Sequence, residues 1–186
     1  MSSVDEMKSE LNWMIENGQM SAALMLAERI KDETPGDPYN WLEYAMLKMT
    51  NGNREGAMME LRSLVRAHPY FPHGWHNLFG LLVSEDLVEA EKVLRRAIQL
   101  DPNDAIMRMN LGYLFYRTNR TKAAIRAMRK SIRMEPSAEA CYNLGRILQN
   151  EGRIEEARKY LERALSLNPY FTPAQDALDE ITGGGE

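Results

Sequence analysis

Three asparagines recur at one constant interval along the chain, Asn77, Asn110 and Asn143. An asparagine amide carries both a donor and an acceptor, so a row of them can pair with the N–H and C=O groups of an extended peptide whatever its side chains. Each such pair contributes about 0.5–1.5 kcal/mol net, so several together, with apolar contacts added, hold a strand-like ligand at micromolar strength. The same amides can instead contact neighbouring helices, and the spacing alone leaves both readings open. His73 and His76 lie on adjacent positions of one helical turn and suit a metal pair, but no third ligand follows at a clear spacing, so the expectation is no metal. A lone Cys141 rules out a disulfide framework and any cysteine-cluster zinc site. No His–Asp arrangement surrounds it, so it reads as a packing residue and not a nucleophile. The glycine run at the C-terminal end follows no strand and opens no helix, so it is no phosphate loop. No catalytic residue and no cofactor are expected, and the chain reads as a non-enzyme.

The elements that must position these side chains are helices. Ala, Leu and Met outnumber Val, Ile and Thr by more than two to one, and straight-chain residues lose little rotamer freedom in a helix. No strand-like alternation bounded by turns is present. Pro35, Pro69, Pro102, Pro136 and Pro169 are evenly spaced, with a period of about 34 residues. An alanine precedes each by twelve positions, at Ala23, Ala57, Ala90, Ala124 and Ala157, and a second series runs Leu11, Ala45, Phe79, Gly112 and Gly145. Each period divides into two amphipathic helices. Gly18, Gly52, Asn119 and Gly152 mark the turns between them, because glycine and asparagine enter the left-handed conformation at least steric cost. Proline ends each second helix. A helix pair this small cannot bury its own apolar face and must stack on copies of itself. No apolar run follows Met1 to Glu10 and no stretch of about 18 apolar residues occurs, so the chain reads as cytoplasmic, with no signal peptide and no membrane insertion.

The period resembles the tetratricopeptide repeat, whose pattern runs W-x2-L-G-x2-Y, A-x3-F, then P over ~34 residues. Trp41 and Trp75 fall on its tryptophan, and Leu78, Leu111 and Leu144 on its leucine. The resemblance implies an all-α fold, a right-handed α-solenoid forming a single domain over 1–186. Its repeats are placed at 4–37, 38–71, 72–104, 105–137 and 138–171, with a cap helix at 172–182 and a flexible tail at 183–186. Thr172 is the expected N-cap of the cap helix, with Pro173 at its first position. Met7 and Glu10 depart from the family pattern, so the first helix is expected to fray or to act as a cap. Phe79 stands at a small-residue position and is expected to push its helix pair apart or to change its stacking.

In the family, a concave groove is lined by the first helix of each repeat. Carried over residue by residue, the resemblance places Tyr39, Leu42, Met46 and Met49 there from the second repeat, and His73, His76 and Asn77 from the third. The fourth gives Met109, Asn110, Tyr113, Tyr116 and Arg117, and the fifth Tyr142, Asn143, Arg146 and Gln149. Tyrosine and methionine surfaces adapt to varied apolar partners. The expected partner is therefore a protein or peptide segment, partly hydrophobic, with an acidic group near Arg117 and Arg146, and the expected role is a scaffold, adaptor or co-chaperone. The family's carboxylate clamp for chaperone tails is matched only by Lys8 and Asn12, with Glu43 in place of its next asparagine, which argues against chaperone-tail capture. Self-assembly into a homo-oligomeric platform is the alternative.

Charge is uneven. Residues 105–137 carry eight Lys or Arg against one acid, a net of +7, whereas residues 72–104 net −3 and 138–186 net −4. Lys122, Arg126, Arg129, Lys130 and Arg133 recur at helical spacing as an outward stripe. The expectation is that Glu85, Glu89, Glu91, Glu155, Glu156 and Glu162 of the flanking repeats neutralise it. The alternative is an anionic partner, a nucleic acid or an acidic protein, and with the whole chain at −4 nucleic acid is not favoured.

Overall fold

The computed structural model describes residues 4–183, which are helical throughout apart from turns, with no strand among the described residues. The helices form two compact units divided between Leu100 and Asp101. The first unit holds α1 (Val4–Glu16), α2 (Met20–Glu33), α3 (Pro38–Thr50), α4 (Arg54–Ala67), α5 (Pro72–Leu82) and α6 (Leu87–Leu100). The second holds α7 (Ala105–Arg117), α8 (Thr121–Met134), α9 (Ala138–Asn150), α10 (Ile154–Leu167) and α11 (Thr172–Gly183). The fold is an all-α solenoid of helix pairs.

Each start and stop has a local cause. Asp37, Asn53, Asp104 and Ser137 accept hydrogen bonds from the backbone N–H groups of Tyr39, Gly56, Met107 and Ala140 at 2.8–3.2 Å, satisfying donors that the first helical turn leaves open. Gly18, Gly52, Gly152 and Asn119 take φ values of 70°, 79°, 74° and 57°, the left-handed turn that reverses the chain inside a pair.

Within the first unit α3 touches α5. Within the second, α7 touches α9 and α9 touches α11. First helices of successive pairs therefore lie side by side and make the inner face of each unit. The seam inside each pair is closed by alanine, since Ala23, Ala57, Ala90, Ala124 and Ala157 are wholly buried. The pairs α7–α8 and α9–α10 approach most closely, where a methyl added at Gly112 or Gly145 would lie 2.9 Å from Met128 or 2.8 Å from Leu161.

Part-buried polar contacts tie adjacent helices. Tyr44 on α3 donates to Glu28 on α2 at 2.8 Å, while Lys31 and Lys48 sit over its ring and both bridge to Glu60 on α4. Arg62 on α4 grips both carboxylate oxygens of Glu89 on α6, at 2.5 and 2.7 Å, and this fork holds the Glu89 carboxyl below its usual range.

Four expectations are corrected. The first helix does not fray, because α1 is regular from Val4 and buries Met7 and Leu11 against the core of its unit. Phe79 does not wedge its pair open. It is 4 % exposed, and α5–α6 pack as closely as α3–α4, which carry Ala45 there. Thr172 lies inside α11 and does not cap it, since the N–H groups of Ala174 and Gln175 reach the carbonyl of Phe171. Gly183 closes α11, and the rest of the expected tail, 184–186, lies outside the described residues.

The seam geometry predicts opposite signs at two helical glycines. Gly145→Val is expected to destabilise the protein by about 2 kcal/mol through overpacking. Gly80→Ala, whose methyl meets nothing within 4 Å, is expected to stabilise it by about 0.5–1 kcal/mol. Urea denaturation midpoints measure both, and a Gly145→Val midpoint at or above that of the wild type would refute the close approach.

Candidate functional site

In the first unit the inner face of α3 and α5 encloses a hollow of about 240 Å³ lined by Met46, Met49, His76, Asn77 and the seam residues Ala45 and Leu61. The expected residues Met46, His76 and Asn77 are thus brought together. Asn77 is half-buried and donates one amide proton to the His73 carbonyl of its own helix at 2.8 Å, which leaves its oxygen and second proton directed elsewhere. Tyr39 and His73 form a separate aromatic cluster. His73 stacks on Phe71 at 5.3 Å, and Tyr39 meets Phe71 edge-on at 4.9 Å. Leu42 is half-buried on the same helix as Tyr39. His73 lies in this cluster while His76 lines the hollow, and the described residues contain no group of three His, Cys, Asp or Glu arranged to hold a metal.

In the second unit the inner face of α7 and α9 holds a hollow of about 220 Å³ lined by Tyr113, Tyr116, Tyr142, Asn143, Arg146 and Asn150, with Met128 and Ile147 at its base. Five expected residues share this one site. Asn150 donates to the Tyr116 hydroxyl at 2.5 Å, and Arg117 donates to the Tyr113 hydroxyl at 3.0 Å while its guanidinium lies 5.7 Å from that ring. These bonds fix two of the three phenol rings that form the walls. Asn110 is half-buried on the same helix as Tyr113. Met109 departs from expectation. At 6 % exposure it packs in the core with Ile132, Cys141 and Leu144, and it lines a different hollow, with Ala105, Ile106, Ser131 and Glu139.

The charge at this hollow is already answered from within the chain. Arg146 hydrogen-bonds Glu180 of α11, and Gln149 donates to the same carboxylate oxygen at 3.3 Å. The Arg146 guanidinium, with Gln149 assisting, holds the Glu180 carboxyl below its usual range. In the first unit Lys8, half of the partial clamp match, pairs with Asp37 at 3.8 Å. The thiol of Cys141 is wholly buried, and burial pushes its pKa up, away from nucleophilic use.

Two models of the tetratricopeptide repeat match the chain, over residues 80–139 and 138–171, the second spanning α9 and α10. The chain is a tetratricopeptide repeat protein. The peroxisomal targeting signal receptor of Eremothecium gossypii is 25 % identical over 87 % of this chain and 35 % of its own length. This repeat protein therefore spans about a third of that receptor, and 19 % and 16 % of the homologous receptors of Kluyveromyces lactis and Saccharomyces cerevisiae. Among solved structures, the repeat protein TTC0263 of Thermus thermophilus superposes with a TM-score of 0.74 at 21 % identity, covering 97 % of this chain and 99 % of that one. YrrB, described as a repeat protein with an unusual peptide-binding site, superposes at 0.73 with 19 % identity, over 94 % and 91 % of the two chains. At these identities the likeness establishes the fold.

Glu180 and Asn150 are the site residues that sequence reasoning missed. Glu180 follows Arg146 by one repeat period. Extending the register of first helices through α11 finds it, because α11 takes the place of the first helix of a further repeat. No helix among the described residues is long and apolar enough to cross a membrane.

The Arg146–Glu180 pair sets a pH dependence whose sign follows from the lowered carboxyl pKa. The contact is intact above the ordinary glutamate range and is lost only as pH falls through the depressed folded value. Carboxyl-carbon NMR titration is expected to place the Glu180 midpoint below that of an ordinary glutamate, and Arg146→Gln is expected to raise it towards the ordinary value, with Gln149 still in place. A midpoint unmoved by that substitution would sever the pairing.

Proposed function

We propose that this chain is a non-catalytic protein-interaction module that holds an extended, partly hydrophobic segment of a partner protein on the inner face of its repeats. The observation that carries the reading is the hollow of the second unit, where three tyrosines, two asparagine amides and one arginine converge around about 220 Å³ of open space. Aromatic walls supply large contact area at low entropic cost, and the amides supply backbone pairing that ignores side-chain identity. A similar mixture, Met46, Met49, His76 and Asn77, lines the hollow of the first unit. Methionine there suits varied apolar side chains. An acidic group on the partner would compete with Glu180 for Arg146, so such a group acts as a selectivity element more than as a source of affinity. The names of the relatives point the same way, since one is a receptor for a targeting signal and another is described by its peptide-binding site. Catalysis has no part in this reading, as neither hollow holds a nucleophile beside a base.

Replacing Asn77, Asn110 and Asn143 together by Ala is expected to weaken capture of the partner by about tenfold or more. The helical circular dichroism should stay unchanged, since all three amides are only half-buried. Affinity purification from the native organism, followed by titration of the captured segment against wild type and variant, measures it. Equal affinity for both would discard the amide contact, and equal affinity for a Tyr113→Ala, Tyr142→Ala variant as well would discard the hollow.

A further inference from the structure

Helix α8 turns a basic face outward, most of which finds no partner inside the molecule. Its inner side buries Ala124, Ile125, Ala127, Met128 and Ile132, while Lys122, Arg126, Arg129, Lys130 and Arg133 share the other side. At about 1.5 Å of rise per residue, that row is roughly 16 Å long. Neutralisation by the flanking repeats would make it a structural device, and this holds for Arg129 alone, which bonds Glu156 on α10 at 2.9 Å. Four of the other five carboxylates are engaged elsewhere. Glu85 pairs with Arg54, Glu89 with Arg62, Glu91 with Arg95 and Glu155 with Arg158. Lys122, Arg126, Lys130 and Arg133 are exposed and have no ion-pair or hydrogen-bond partner among the described residues.

Four like charges on one helix face repel one another, and the repulsion favours an anionic ligand that relieves it. The shape of the charge selects the kind of anion. The stripe is one helix wide and meets carboxylates at its edges, with exposed Glu135 at the end of α8 and Glu156 of α10 bonded to Arg129. A nucleic acid or an anionic membrane surface would lay its charge over those carboxylates as well as over the cations, on a chain whose net charge is −4. A short peptide helix confines its carboxylates to the stripe.

We infer that the outer face of α8 docks an acidic segment of a partner protein, with carboxylates spaced about one helical turn apart. This surface lies on a second helix and is separate from the inner-face hollows, so it stands or falls independently of them.

The test uses the full chain and a fluorescent synthetic helical peptide carrying glutamate at successive i, i+4 positions. A duplex DNA oligonucleotide and phosphatidylserine-containing phosphatidylcholine vesicles serve as comparison ligands. The variant is Lys122→Gln, Arg126→Gln, Lys130→Gln, Arg133→Gln, which leaves the Arg129–Glu156 bridge in place. By fluorescence anisotropy the wild type is expected to bind the peptide, more weakly as salt rises, and the variant about tenfold or more weakly still. Tyr113→Ala, Tyr142→Ala should bind it as the wild type does. If the fourfold variant loses its helical circular dichroism, Lys122→Gln, Arg126→Gln and Lys130→Gln, Arg133→Gln are tested separately, each expected to weaken binding by about threefold. Equal binding by wild type and folded variants, no binding by wild type, or tighter binding of the DNA or the vesicles than of the peptide would each overturn the inference.

Discussion

A methyl group at position 145 would stand 2.8 Å from Leu161, and one at position 112 would stand 2.9 Å from Met128. That closeness is what the rest of the molecule depends on. Two helices joined by a short turn can share a core only if their backbones approach, and a small residue at the crossing lets them do so. The fully buried alanines at 23, 57, 90, 124 and 157 are the other half of the same constraint. Once each pair is closed, an apolar flank is left over for a neighbouring pair to cover. The last flank is covered by α11, whose Ala174 and Ala177 are buried against the core of the second unit. Stability is therefore distributed over neighbour interfaces instead of residing in one centre.

Polar groups do a different job at those interfaces. The Tyr44, Glu28, Lys48 and Glu60 contacts join α2, α3 and α4, and the Arg62–Glu89 fork joins α4 to α6. Tyr44–Glu28 and Arg62–Glu89 link helices from successive periods and are sensitive to the register in which pairs stack, whereas Lys48–Glu60 closes a single pair. Exposed or half-exposed ion pairs add little net stability. Their value lies in making a slipped stack electrostatically worse than the correct one, as like charges would then meet.

The periodicity made most of the fold readable. Proline and alanine series that share one period locate turns and crossings without reference to any contact, and the left-handed φ values fall at the glycines and the asparagine that the turns required. Phe79 was misleading for a physical reason. A one-dimensional pattern says that the crossing position should be small, but it does not say whether a ring can lie along the seam, and here the ring is buried without opening the pair. Met109 departs in another way, because a family position describes an average helix and does not say which side chain its neighbours bury, here Met109 among Ile132, Cys141 and Leu144. The tyrosines, Asn143 and Arg146 converged as their register implies.

The fate of the cations shows what pattern alone cannot supply. Arg146 and the α8 stripe are both arginine-bearing helix faces with acidic residues nearby in sequence, and pairing was the natural expectation for the stripe. In the folded chain the allocation is reversed. Arg146, on the inner face, has its acid supplied by α11 through a register one period long, while four stripe residues on the outer face are left without one. Within the second unit α9 lies against α11, so Arg146 on one reaches Glu180 on the next, whereas among the stripe residues of α8 Arg129 alone reaches a carboxylate, Glu156 of α10. A charge balance that closes in the linear sequence stays open in space, and the outer face of α8 is where it stays open.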